Sequence, residues 1–294
     1  MWWRRPPPKD QIASTPGILQ HVDPLLWREH RFGLPPARWN RLEGRAFWIT
    51  GAGTGYGRAI ALALAAAGAK VFLTGRREEK LQETLDEGDS LGIDVGRCIP
   101  VVADVSLEPD LVRAAAVISQ HASCLDGLVN NAALPQPDAG AYPLADQSLA
   151  VWSDLFTTNV TAQWLTSRVA LPLMAKGDGI RVVFMSSEAA WADTPGFGPY
   201  NISKSAVNTL SASLAAECRS HFPAYDVQIN VLVPGEARTE MNRGSKISPY
   251  SVVSMILTLL SHPQGGPNGC LFHRDGRHLT FGYSNAYTQN LLAQ

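Results

Sequence analysis

The chain has 294 residues, 45% of them hydrophobic, enough for one large domain or two small ones around a full core. Lys and Arg total 25 against 26 Asp and Glu, a net charge of −1, so no overall field steers nucleic acid. Cys98, Cys124, Cys218 and Cys270 are too scattered for a zinc site or a disulfide scaffold, no apolar run reaches the roughly 18 residues of a membrane span, and Pro6, Pro7 and Pro8 stand where an export signal needs apolar residues. These features predict a cytoplasmic protein with neither a nucleic-acid partner nor a membrane span.

Residues 1–43 read as an extension. Pro6, Pro7, Pro8, Pro16, Pro24, Pro35 and Pro36 block long elements, while Trp2, Trp3, Trp27 and Trp39 predict that part of the segment lies against the domain or a neighbouring subunit. Residues 44–294 read as one domain. Strands are predicted at 46–50, 69–74, 98–103, 125–129, 180–185, 227–233 and 270–273, and helices at 56–67, 77–91, 107–121, 149–175, 199–221 and around 250–260. Such alternation predicts an α/β fold, a doubly wound parallel sheet of about seven strands between two helical layers, of the Rossmann type.

The first strand runs into Thr50-Gly51-Ala52-Gly53-Thr54-Gly55-Tyr56-Gly57, which opens the first helix. Glycines let the backbone approach a pyrophosphate, and free N–H groups at a helix start favour its charge, so this turn reads as a dinucleotide site. At the end of the second strand, where an acidic residue would hold a ribose 2′-hydroxyl, stand Gly75, Arg76 and Arg77. An arginine fork suits a 2′-phosphate, so NADP(H) is expected in preference to NAD(H). The plainer reading makes both arginines solvated loop residues.

Tyr200 and Lys204 are four apart on a predicted helix and so share a face. A neighbouring ammonium favours the phenolate and is expected to lower the Tyr200 pKa. With them comes an ordered set of short motifs over about 42–276: Thr50, Gly51, Gly55 and Gly57; Asp104-Val105; Asn130-Asn131-Ala132-Ala133; Thr158-Asn159-Val160; Ser186-Ser187, with Ser187 thirteen residues before Tyr200; Pro234-Gly235 followed by Thr239; and Asp275-Gly276. In this order and spacing the chain resembles the short-chain dehydrogenase/reductase family, classical type. It departs from the family pattern at Ala133, where glycine is usual.

The resemblance implies an oxidoreductase that interconverts a carbonyl and a secondary alcohol, with Asn159, Ser187, Tyr200 and Lys204 catalytic. Tyr200 would transfer the proton, Ser187 would hydrogen-bond the carbonyl oxygen, Lys204 would tune Tyr200 and hold the nicotinamide ribose, and Asn159 would hold a relay water. It further implies that Asp104 lies near the adenine, that Val105, Asn131, Ala132, Ala133, Pro234, Gly235 and Thr239 border the cofactor, and that the assembly is a homodimer or homotetramer. No metal is expected, since His273 and His278 lack a third ligand.

For the substrate, Glu188, Trp191 and Glu236 are the candidate contacts, and their polarity favours a small hydroxyl-rich or amine-bearing molecule such as a sugar-like one. Alternatives are a hydrophobic ketone or 3-oxoacyl substrate and, in another class, an NADPH-binding sensor or scaffold without turnover. The short stretch between Thr239 and Tyr250 predicts an open, weakly lidded site, and the basic run 272–278 a subunit contact.

Overall fold

The computed structural model describes residues 28–137, 144–191 and 196–280, with the side chain of Trp191 outside that set. The prolines and tryptophans of residues 1–27, on which much of the extension reading falls, also lie outside it.

Among the described residues, eight strands form one sheet in the order β3-β2-β1-β4-β5-β6-β7-β8: β1 Ala46–Thr50, β2 Lys70–Gly75, β3 Cys98–Val102, β4 Gly127–Asn130, β5 Gly179–Met185, β6 Asp226–Val233, β7 Leu271–His273 and β8 His278–Leu279. The first seven are parallel. The eighth pairs antiparallel with β7, Phe272 opposite His278. It adds one strand to the predicted seven because a two-residue strand has no readable periodicity; Gly276 makes its turn at φ +89°.

Among the described residues, the sheet is covered by α1 Gly55–Ala66, α2 Glu78–Ser90, α3 Glu108–His121, α4 Leu149–Phe156, α5 Ala162–Met174, α6 Gly198–His221 and α7 Val253–Leu260. The central strands β2, β1, β4, β5 and β6 are buried on both faces, so alternate residues feed two separate cores. Phe47 and Ile49 of β1 pack with α1 and α7, while Trp48 packs with α3, α5 and α6. Between α4 and α5 the predicted single helix is continuous but winds as a π turn over Thr157–Thr161. Such wide turns are rare and cluster at functional sites.

Part of residues 28–43 joins the first core. Phe32, Leu34 and Leu42 are buried in it, Phe32 stacks on Tyr250 with ring centres 6.3 Å apart, and Arg38 donates to Ser261 Oγ at 3.1 Å and to the Thr258 carbonyl. Among the described residues no helix is long and apolar enough to cross a membrane.

Candidate active site

The sheet order reverses between β1 and β4, and open α/β sheets leave a crevice at the carboxyl ends of the strands there. A cavity of about 950 Å³ occupies that place, lined by the residues that follow β1 through β6.

At one end lies the glycine turn. Gly51 and Gly55 adopt φ +66° and +54°, conformations that side chains disfavour. Thr54 stands at the N-cap of α1 but its side chain caps none of the first-turn N–H groups, which have no intrahelical acceptors of their own. Gly53, Thr54, Gly55 and Tyr56 line the cavity, so those donors suit a pyrophosphate. Arg58, not singled out from the sequence, braces the turn by donating to the Gly53 carbonyl at 3.0 and 2.6 Å.

Two members of the predicted cofactor set do not reach the cavity wall. Thr50 Oγ1 is buried and accepts from the N–H groups of Asn131 and Ala132 at 3.0 and 3.1 Å, joining β1 to the loop after β4. Gly57 faces inward: a Cβ there would lie 2.1 Å from the Gly51 carbonyl oxygen. Both shape the turn from behind. The rest of the set, including Arg76, Arg77, Asp104, Val105, Asn131, Ala132, Ala133, Pro234, Gly235 and Thr239, lines the cavity.

At the other end, Ser187, Tyr200 and Lys204 come together. Burial raises the Tyr200 pKa, and a hydrogen bond with Ser187 opposes the rise. This corrects the expected direction. Lys204 Nζ sits 5.7 Å from the Tyr200 ring centre and donates to the Met185 carbonyl at 3.0 Å, while burial pulls its own pKa down to about 8. Ser187 Oγ also accepts from the Ala189 N–H at 3.1 Å.

Asn159 is buried in the π turn and does not line the cavity. Its Oδ1 accepts from the Leu134 N–H at 2.7 Å, and Nδ2 donates to the Leu134 carbonyl and to Ser203 Oγ, both at 3.1 Å. The side-chain amide of Asn159 is thus held by protein partners on both its oxygen and its nitrogen. Ser203 Oγ in turn donates to the Tyr200 carbonyl at 2.7 Å, so Asn159 bridges the loop after β4 to the first turns of α6.

Of the candidate substrate contacts, Glu188 and Glu236 line the cavity and Trp191 ends the turn Glu188–Trp191. A hydrogen bond with His273 holds the Glu188 carboxyl below its usual range, and His273 itself is buried with Nδ1 2.8 Å from Asp275. Within the basic run 272–278, Arg274 donates to the carbonyls of Pro234 and Glu236 at 3.0 and 2.7 Å. Gly235 keeps φ +63° there, and its carbonyl accepts from Tyr56 OH at 2.9 Å.

Several lining residues were missed from the sequence: Lys80, Gln136, Phe197, Glu240 and Met241. Only Lys80 carried a signal, as a cation one turn into α2 beyond Arg76 and Arg77. The stretch expected to leave the site open reaches across it, with Thr239 packed over Gly55 and Glu240 paired with Arg77 at 2.7 Å.

The family model for short chain dehydrogenases matches residues 45–248. The A-factor type gamma-butyrolactone 1′-reductase (1S-forming) of Streptomyces virginiae is 35% identical over 68% of this chain and 74% of its own length. Dehydrogenase/reductase SDR family member 4 of Bos taurus is 32% identical over 80% of each chain. A short chain dehydrogenase of Escherichia coli CFT073, solved in complex with NADPH, superposes with a TM-score of 0.70 at 27% identity over 80% of this chain and 98% of its own. With this match and this fold, the chain belongs to the short-chain dehydrogenase/reductase family and is an NAD(P)-dependent oxidoreductase acting on CH–OH or C=O groups.

Proposed function

We propose that the chain is an NADP(H)-dependent carbonyl reductase or alcohol dehydrogenase for a small polar, sugar-like substrate. The observation that carries this reading is the meeting of Ser187, Tyr200 and the buried Lys204 in the same cavity as the glycine turn and Arg76. When bound, the nicotinamide supplies or accepts the hydride.

Tyr200, its pKa raised by burial, is a protonated phenol at neutral pH and donates that proton to the carbonyl oxygen. Ser187 hydrogen-bonds the same oxygen as negative charge develops on it. The Lys204 ammonium stabilises the phenolate left on Tyr200. Asn159, through Leu134 and Ser203, positions the Tyr200 turn. At the other end Arg76 and Arg77 meet the 2′-phosphate, and Asp104 borders the adenine. The catalytic trio opposes the sensor reading, since binding alone does not need it.

Glu188 and Glu236 support the polar substrate. The apolar wall of Leu134, Phe197 and Met241 favours the rival, a hydrophobic ketone or 3-oxoacyl group. A cytoplasmic homodimer or homotetramer belongs to the same reading, consistent with four unpaired cysteines. The domain division, an extension of residues 1–43 before one catalytic domain, is likewise proposed.

Fluorescence titration with NADPH and with NADH, on the wild type and on Arg76→Ala, tests the cofactor. Selective weakening of NADPH in the variant is expected, and equal binding of both cofactors by the wild type would overturn the preference. A panel of polar and hydrophobic carbonyl compounds with the preferred cofactor tests the substrate class.

A further inference from the structure

Arg76 and Arg77 follow β2, whereas Glu240 belongs to the loop after β6 on the opposite wall of the groove. One ion pair joins the two walls. Arg77 NH2 lies 2.7 Å from Glu240 Oε2 and NH1 3.4 Å from Oε1, so the carboxylate fills the guanidinium fork with both oxygens. Arg76 is held more loosely: its NH1 is 3.7 Å from Asp104 Oδ2, beyond hydrogen-bond reach, and its side chain is 62% exposed.

Glu240 does not hang on a free strand of loop. Thr239 and Asn242 exchange main-chain hydrogen bonds of 3.2 Å around it, Arg238 N–H donates to the Ile247 carbonyl at 2.8 Å, and the Thr239 methyl covers Gly55. The carboxylate is thereby delivered to the arginine pair. Each partner also favours the ionised form of the other, Glu240 held below its usual range and Arg77 above its own by their shared hydrogen bond.

A phosphate and a carboxylate fit a guanidinium fork in the same way, so they compete for it. We propose that Glu240 is an internal competitor for the 2′-phosphate of the cofactor: it occupies the Arg77 fork, and binding of the phosphorylated cofactor displaces it. The inference rests on the reading that the Arg76–Arg77 end of the groove takes the adenosine ribose. A dinucleotide without the 2′-phosphate leaves the pair intact, so Glu240 narrows the preference that the two arginines confer. Arg76 is the fork open at the outset, and Arg77 is the one released.

Binding of NADPH, NADH, adenosine 2′,5′-bisphosphate and adenosine 5′-monophosphate is measured calorimetrically on the wild type, Glu240→Gln, Arg77→Ala and the double variant. Because the pair is half exposed, removing the charge is expected to tighten NADPH and the bisphosphate by about two- to fivefold. NADH and the monophosphate should be unchanged, and the gain should vanish in the Arg77→Ala background. A silent or weakened Glu240→Gln, an equal gain for both cofactors, or a gain that persists without Arg77 would overturn the proposal. A wild type that prefers NADPH alongside a silent Glu240→Gln sinks the competitor alone. A wild type that prefers NADH while Glu240→Gln gains affinity for the bisphosphate through Arg77 supports the competitor and sinks the NADP(H) preference.

Discussion

Lys204 donates its ammonium to the main-chain oxygen of Met185 at 3.0 Å, tying α6 to the last residue of β5. Burial lowers its pKa from 10.5 to about 8. Between those values the unfolded chain binds more protons than the folded one, so stability rises with pH across the window. Below pH about 8 the lysine is charged in both states and the cost of burying that charge is fully present, on the order of 3 kcal/mol. Lys204→Met is therefore expected to stabilise the fold at pH 7 by about 1–3 kcal/mol, after losing the Met185 contact, with the gain fading towards pH 10.5. Urea denaturation at pH 7 and pH 10 checks this, and a variant no more stable at pH 7 would contradict it. Turnover should be lost all the same.

Tyr200→Phe removes the proton donor, and kcat for carbonyl reduction should fall by about 10³. Ser187→Ala should lower kcat by about 10². Because the two side chains share a hydrogen bond, the double variant should lose less than the product of the single losses. Steady-state kinetics on the three variants, with melting temperatures close to wild type, make the test.

Asn159→Ala deletes three hydrogen bonds and strips the half-buried Leu134 backbone groups of their side-chain partner. The expected loss of stability is about 2–4 kcal/mol, with kcat falling as the Tyr200 turn loosens. Asn159→Asp, which keeps the acceptor but not the donors, should recover part of the stability. Chemical denaturation reads both.

Glu188→Gln should raise KM for a hydroxylated or amine-bearing carbonyl substrate by about tenfold with little change in kcat, as loss of uniform binding does. The lowered Glu188 pKa keeps its carboxylate charged to a lower pH than usual, so KM should stay flat as pH falls into the ordinary carboxylate range. In His273→Phe the main cause of that shift is gone, and KM should begin to rise at higher pH than in the wild type. Profiles of KM against pH for the two proteins decide it.

The alternation of elements was readable because the central strands are buried on both faces and most helices are bounded by glycine, proline or a polar turn. The motifs placed Ser187, Tyr200 and Lys204 together because Tyr200 and Lys204 are one helical turn apart and Ser187 follows the end of β5 by two residues. What the chain did not disclose depends on partners distant in sequence. Arg77 meets Glu240 across 163 positions, and Arg274 turns onto Pro234 from 40 away. The direction of the Tyr200 shift was misjudged because helical spacing reveals a neighbouring charge but not the depth of burial that outweighs it. Gly57 and Gly51 look alike as letters, yet only the folded turn distinguishes the glycine that faces the cavity from the one packed behind it.

The π turn at Thr157–Thr161 makes this segment sensitive to length more than to spelling. A π turn holds one residue more than an α turn while the helix beyond it keeps its phase, so deleting one residue here would restore regular winding and leave α5 on its present face. Ser167 would stay against Asn130, whose Nδ2 reaches it at 2.9 Å, and Gln163 and Ala170 would stay interior. Thr157 and Thr161 are exposed and can change identity freely, but the surplus residue that gives Asn159 its place in the wide turn has to stay.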